Sequence, residues 1–243
     1  MVTSPVCLVI TSVIFDNRCI NGLRLLSFKG KNMKIIVVAG GSLLNPHAFK
    51  AMVSQSDRVV CADGGAAHLA SMGIVPHVVM GDLDSINPSH QKNLEAAGVE
   101  FIRHPVDKDY TDTELAAQWA VDNGATQITF LGTTGTRMDH TLANIFLMEK
   151  IAAMGVACSM VDDHNEIHLV KDQITLEKRP GTYLSIIPIT QKVTGITLIG
   201  LAFPLSNATL YRGDSTGISN RFKASTARVS LKTGLLMVTL SHD

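Results

Sequence analysis

The sequence predicts an α/β protein in which a Rossmann-like parallel sheet is followed by an all-β sandwich. Two observations carry that class. From Lys34 to about residue 161, short β-branched runs alternate with segments of helical period, which is the rhythm of βαβ units. Beyond about Asn165 the helical period stops, and short runs separated by Gly, Pro, Asn and Asp turns replace it.

Met33 opens directly onto Lys34-Ile-Ile-Val-Val-Ala, a run suited to a strand buried on both faces, so the first core strand is expected over 34–39. A helix is expected near 46–54, a strand over 57–62, a helix over 65–72, a strand over 77–80, a helix over 88–97 and a strand over 99–102. The pattern continues with a helix from about 112 to 122, a strand over 127–131, a helix from about 139 to 154 and a strand over 156–161. Thr111 to Glu114 fits a capping box, and Gly124 and Gly155 stand where a left-handed residue ends a helix. The second half is read as strands Gln173–Glu177, Thr182–Ile187, Ile196–Leu201, Ala208–Tyr211, Ala227–Leu231 and Leu235–Leu240. A polar junction near 162–170, too short to be a long linker, divides an α/β domain over 33–164 from a β domain over 165–243. Residues 1–32 are read as an N-terminal extension ahead of an alternative start at Met33.

Composition removes several classes of function. Charged residues are 17% of the chain and the formal net charge is zero, so no global basic field exists to hold nucleic acid or an anionic membrane. Any anion must be bound locally. Cys7, Cys19, Cys61 and Cys158 form no CxxC pair and no disulfide-framework spacing, as expected of reduced thiols in the cytoplasm. The apolar run Val6 to Phe15 lacks a basic flank and a small-residue cleavage pattern, and it is too short to span a bilayer; neither export nor membrane insertion is expected.

The polar clusters recur just after strands, at the edge where open parallel sheets bind ligands: Gly40-Gly41, Asp63-Gly64-Gly65, Gly81-Asp82-Leu83-Asp84-Ser85, Asp107-Lys108-Asp109 and Gly132 to Arg137. Glycine-rich turns expose backbone N–H groups, and a helix starting there adds the positive end of its dipole, so phosphate is held without many cations. Tight βα turns are the plainer explanation of any one pair; recurrence at three loops favours the phosphate cradle. Asp82 and Asp84 occupy alternate positions of an extended segment, where both carboxylates can converge on a hard cation such as Mg²⁺; capping the following turn is the competing role. Asp107-Lys-Asp-Tyr-Thr-Asp112 gathers three carboxylates and an ammonium before a capped helix. There Asp109 and Asp112 are candidates to complete the metal shell or take a proton from an attacking alcohol, and Lys108 to neutralise phosphate. Arg137 suits bidentate contact with phosphate. His140 lacks a paired carboxylate and is not assigned catalysis, and Trp119 is assigned to core packing with Leu115 four residues earlier. Neither GxxxxGK[ST] nor a GxGxxG in the first βα turn occurs, so the ordinary P-loop and the dinucleotide fingerprint are excluded.

Taken in order, Ala-Asp63-Gly-Gly-Ala, Gly-Asp82-Leu-Asp84-Ser, Asp107-Lys-Asp-Tyr-Thr-Asp112 and Gly135-Thr-Arg137-Met-Asp139-His resemble the thiamine pyrophosphokinase family. Gly217-Ile-Ser219-Asn220-Arg-Phe222 is similar to that family's thiamine-contact segment, so the resemblance runs from Met33 to the C-terminus. It implies a nucleotide domain over 33–164, a thiamine-binding and dimerisation domain over 165–243, and a homodimer with active sites between subunits. Carried onto this chain, it implies Asp82, Asp84 and Asp112 as Mg²⁺ ligands, with Asp63, Gly64, Gly65, Lys108, Thr111, Arg137 and Asn144 at ATP. Asp109 is a further candidate, and Asp139, Ser219 and Asn220 would face thiamine. Animal members place a tryptophan after the Ser-Asn segment to stack on thiamine; here Phe222 or Tyr211 is the expected substitute. The implied reaction is in-line attack by the thiamine hydroxyl on the β-phosphorus of ATP, giving thiamine diphosphate and AMP. The rivals are a pyrophosphokinase for another small alcohol, such as a hydroxymethyl-pterin, and a noncatalytic sensor of nucleotide or thiamine.

Overall fold

A computed structural model of the chain describes residues 32–83, 86–105, 107 and 109–243. The expected extension 1–32 therefore lies outside the described residues, apart from Asn32.

Six parallel strands form the first half: β1 (Lys34–Val38), β2 (Arg58–Ala62), β3 (Val78–Gly81), β4 (Glu100–Arg103), β5 (Gln127–Leu131) and β6 (Ala157–Val161). Their spatial order is β6-β5-β1-β2-β3-β4, so the winding reverses between β1 and β5. The alternation of side chains explains why both faces are covered. Ile35 and Val37 of β1, with Val60, Val78, Ile128 and Phe130, point into one core, completed by helices α4 (Asp112–Asp122) and α5 (Met138–Ala153). Ile36 and Val38, with Val59, Cys61, Val79 and Leu131, point the other way, onto α1 (Lys50–Ser54), α2 (Gly65–Met72) and α3 (Pro88–Ala96). Trp119 packs against the first core as expected, half-buried, with the Arg58 guanidinium 5.7 Å from its ring centre.

The helix boundaries follow their terminal chemistry. The Thr111 side chain accepts the Glu114 N–H at 3.2 Å, which starts α4, while the Glu114 carboxylate takes an ion pair with Lys150 at 2.8 Å. At the other end Gly124, with φ +82, lets Ala125 N–H reach Ala120 O at 3.0 Å and its own N–H reach Val121 O at 2.9 Å, a complete Schellman closure.

The parallel sheet does not stop at the junction. Strand β7 (Asn165–Val170) pairs antiparallel with β6, and β14 (Leu236–Ser241), β9 (Tyr183–Pro188) and β12 (Asn220–Arg221) extend it to ten strands. A second, four-stranded sheet of β11 (Leu205–Tyr211), β10 (Lys192–Ile199), β13 (Thr226–Ser230) and β8 (Gln173–Glu177) is antiparallel. Leu236, Val238 and Leu240 of β14, with Leu184 and Ile186 of β9, meet Val193, Ile196, Ala227 and Val229 of the second sheet in a separate core. Met237 points the other way, into the core beneath α4 and α5, so one sheet serves both the α/β layer and the sandwich. Strand β7 was not expected, because Glu166 and His168 on one face give it the polarity of a linker. Strand β10 begins four residues before the expected 196: the bulge at Gly195, φ +72, breaks the alternation that a sequence reading relies on.

Burial pushes the Cys61 and Cys158 thiols up to about 12, so neither is a nucleophile near neutrality. On β7 the Glu166 carboxylate accepts a hydrogen bond from His168 at 2.8 Å and pairs with Arg179. The His168 bond foremost, with the Arg179 charge, holds Glu166 below the ordinary carboxylate range against the opposing effect of burial. Because the folded-state value is the lower one, this stabilisation is complete above the unfolded value of about 4.5 and is lost as pH falls through the folded one. Urea unfolding of wild type and Glu166→Gln across the acid range is expected to show a stability gap above that value that narrows as the medium is acidified.

Candidate active site

Where the winding reverses, the turns after β1, β2 and β5 and the starts of α4 and α5 enclose a cleft of about 570 Å³. Among the described residues it is lined by Gly40 to Ser42, Asp63, Gly64, Tyr110 to Thr113, Gly132 to Arg137, His140, Thr141 and Asn144, with Ala39 and Ala62 beneath.

The loops touch backbone to backbone. Gly41 N–H donates to Gly132 O at 2.6 Å, Ser42 N–H donates to Thr134 O at 2.8 Å, and a Cβ on Gly41 would lie 2.3 Å from Thr134 O. Gly41 is thus glycine because a second loop occupies the space of its side chain. His68 of α2, carrying its proton on Nε2, donates to Gly41 O at 2.8 Å, and Asn144 of α5, buried, donates its Nδ2 hydrogen to Thr133 O at 2.7 Å. Thr133 Oγ1 is buried and has no hydrogen-bond partner among the described residues. The first turns of α2 and α5 have no side-chain cap; in α2 the Ala66 and Ala67 N–H groups donate instead to Asp63 O at 3.4 Å and Gly64 O at 3.3 Å.

On the far side of β2 the carboxylates gather. Asp63 is half-buried with φ +42, and Leu83, buried, has φ +66; both are left-handed conformations that cost a non-glycine residue about 1–2 kcal/mol. Gly81 has φ +141, and a Cβ there would lie 3.3 Å from Asp112 Oδ1 and 3.4 Å from Asp63 Cα. The ends of β2 and β3 and the start of α4 therefore bring Asp63, Asp82 and Asp112 to one place, with Asp82 and Asp112 half-buried. Hard oxygen donors of this kind suit Mg²⁺. Asp84 and Lys108 lie outside the described residues, and no group of three metal-ligating side chains is found among the described ones.

Arg137 reaches Asp139 rather than open solvent, with Nη2 2.7 Å from Oδ2 and Nε 3.3 Å from Oδ1, both side chains exposed. That hydrogen bond holds Asp139 below its ordinary range and raises Arg137. Asp109 is exposed on the loop before α4.

The profile described as "Thiamin pyrophosphokinase, catalytic domain" matches residues 49–160, and that described as "Thiamin pyrophosphokinase, vitamin B1 binding domain" matches residues 167–236. The chain belongs to the thiamine pyrophosphokinase family. The thiamine pyrophosphokinase of Bacillus subtilis (strain 168) is 30% identical over 214 residues, 87% of this chain and 100% of that relative. The crystal structure of the Bacillus subtilis protein matches with a TM-score of 0.79, covering 86% of this chain and 99% of that one. The thiamin pyrophosphokinase structure from Geobacillus thermodenitrificans matches at 0.73 and 32% identity, covering 87% and 98%.

Of the residues in the thiamine pyrophosphokinase motifs, Asp63, Gly64, Thr111, Asp112, Arg137 and Asn144 line the cleft. Gly65, Asp82, Asp109 and Asp139 of the same half are not in its lining, and neither are Ser219 and Asn220. Those last two belong to the sandwich end, where β12 is the outermost strand of the long sheet. Asn220 is buried; its Oδ1 accepts the N–H of Phe203 at 3.0 Å and its Nδ2 donates to Phe203 O at 2.7 Å. Ser219 has φ +55, and its N–H donates to Ser185 Oγ at 2.9 Å. Phe222, expected as a stacking aromatic, is buried in the sandwich core and is committed to packing. Tyr183, Tyr211 and Phe203 are exposed aromatics of that region, at 39%, 49% and 61%. Ser42, Tyr110, Thr133 and the bracing His68 were given no role by sequence; Tyr110 and Thr133 lie inside motifs that were quoted and Ser42 adjoins one, whereas His68 meets its partner only through the fold.

Gly81→Ala, which puts a methyl group between Asp112 and Asp63 at a left-handed φ, is expected to cost on the order of 10²-fold in turnover. Steady-state assay beside thermal unfolding checks this.

Proposed function

We propose that the chain transfers the diphosphate of ATP to the hydroxyl of thiamine, yielding thiamine diphosphate and AMP. The observation that carries the reading is the cleft at the strand reversal, walled by the glycine-rich loops after β1, β2 and β5 and by Asp63 and Asp112, with Asp82 following the strand end beside them, in a chain of this family. Phosphates lie against the loops after β1 and β5 and the starts of α2 and α5. Arg137 exchanges Asp139 for phosphate oxygens, which Asp139's release toward thiamine accompanies. Asp82 and Asp112, with Asp84, hold Mg²⁺. When bound, the ion supplies neutralisation of the phosphate oxygens.

The thiamine oxygen forms a bond to the β-phosphorus as the bond from that phosphorus to the α,β-bridging oxygen breaks, and AMP leaves with the electron pair. Asp109 or Asp112 takes the hydroxyl proton, and Lys108, between Asp107 and Asp109 in sequence, is assigned to the phosphates. The transition state is loose, so positioning and charge supply most of the acceleration and no strong base is required.

Thiamine reaches this cleft from a second copy of the chain. Five strand steps separate β5 from β12 in the sheet order, about 24 Å along the sheet, so the Ser219–Asn220 segment of one chain is remote from its own nucleotide loops. Met138, Leu142 and Phe146, successive turns of α5 beside the cleft, are exposed and form an apolar stripe of the kind a partner covers. The α/β half, 33–164, is the nucleotide half of this homodimer, and 165–243 its thiamine and dimer half. The buried free thiols Cys61 and Cys158 agree with a cytoplasmic setting.

Purified protein incubated with Mg-ATP and thiamine is expected to form thiamine diphosphate and AMP in equal amounts, read by chromatography; AMP formed only with a hydroxymethyl-pterin would move the substrate, and ATP binding without turnover would make the chain a sensor. Asp82→Asn is expected to lower turnover on the order of 10²-fold or more. Near-normal turnover would remove Asp82 from the metal set.

A further inference from the structure

We propose that Asp162 and Asp163, in the turn that joins the two halves of the chain, are positioning residues for the transfer. Each holds one phosphate-facing loop in register. This rests on the diphosphotransferase reading of the cleft above.

Neither residue lines the cleft. They form the turn between β6 and β7, and their two side chains diverge. Asp162 Oδ2 accepts the hydroxyl of Thr134, in the loop after β5, at 2.8 Å. Its Oδ1 is fixed by the N–H groups of His164 at 2.8 Å and Asn165 at 2.7 Å and by Asn165 Nδ2 at 3.0 Å, so the carboxylate has little freedom to follow Thr134 if that loop moves. Asp163 Oδ2 accepts Leu44 N–H at 2.6 Å and its Oδ1 accepts Asn45 N–H at 2.9 Å, which ties down the loop after β1. The two loops are in turn joined by the Ser42 to Thr134 and Gly41 to Gly132 hydrogen bonds of 2.8 and 2.6 Å. Ser42, Thr134 and Asp162 thus form a chain from the cleft wall to a rigid hairpin turn, and bonds to an ionised acceptor are the stronger kind.

A hairpin turn needs no such side chains to close. Turns of this sort commonly use Asn-Gly or Asp-Gly, whereas Asp162-Asp163-His164-Asn165 places two carboxylates on groups 28 and 119 residues away. Their partners are the loops that wall the cleft, where a displacement of about 1 Å costs on the order of 10²-fold in rate.

The test is a double-mutant cycle on Asp162→Ala and Thr134→Val, with Thr134→Ser as the conservative variant and Asp163→Ala for the second loop. Activity is expressed per folded molecule, with folding measured by circular dichroism at the assay temperature. Each of Asp162→Ala, Thr134→Val and Asp163→Ala is expected to lower kcat/KM for Mg-ATP on the order of 10²-fold with KM for thiamine unmoved. The Asp162→Ala/Thr134→Val pair is expected to lose no more than either alone, because both remove one hydrogen bond. Thr134→Ser, which keeps the hydroxyl, is expected to lose far less than Thr134→Val. Normal kinetics per folded molecule in the single variants, or losses that multiply in the pair, would overturn the proposal. Calorimetric titration with Mg-ATP in the absence of thiamine separates the two readings. Weaker nucleotide binding in the variants supports the clamp even if thiamine is not the acceptor, and unchanged binding together with unchanged turnover rejects the clamp alone.

Discussion

The contact on which the rest of the molecule depends is the one between the loops after β1 and β5, where Gly41 N–H meets Gly132 O at 2.6 Å. Two polypeptide backbones approach with no side chain between them, and that approach closes a widening crevice between diverging strands into one continuous cleft wall. It requires β1 and β5 to be adjacent, which the reversal of strand order provides. It requires the loops to be braced from outside, which His68, Asn144 and the Asp162–Asp163 turn provide. Conformational entropy opposes holding so many loop residues still, and the buried acceptors and donors around the loops offset it.

The parallel half was legible because its strands are buried on both faces. Ile35 to Val38 and Val59 to Ala62 read as unbroken apolar runs, and few structures other than a covered parallel sheet use such runs in alternation with helices. The positions of Asp63, Asp112, Arg137 and Asn144 were legible for the same reason, since a motif that follows a recognised strand in a βαβ unit lands on one known edge. The glycines were read as turn or cradle residues; the close approach of a loop 91 residues away at Gly41 leaves no local trace.

What sequence could not yield were the long-range commitments of polar side chains. Asp162 and Asp163 read as a polar junction because a hydrogen bond to Leu44 has no signature in composition. Asn220 read as a ligand residue, and its amide is found spanning the backbone of Phe203, an aromatic that pattern alone gave no reason to single out. Phe222 read as a substitute stacking aromatic at the end of a motif, yet it faces the sandwich core because the two-residue pairing of β12 with β9 sets its side.

The passage of a single sheet through both halves gives the chain the mechanics of a continuous plank. Strand β6 is hydrogen-bonded to β5 on one side and to β7 on the other, and Ile167, Leu235 and Met237 of the later half share a core with α4 and α5 of the earlier one. Severing the chain between β6 and β7 would bare an apolar edge and strip part of a core together. The α/β half is therefore not a portable module: recombination or truncation that treats the junction as a linker produces an open strand edge, which seeks another chain to pair with.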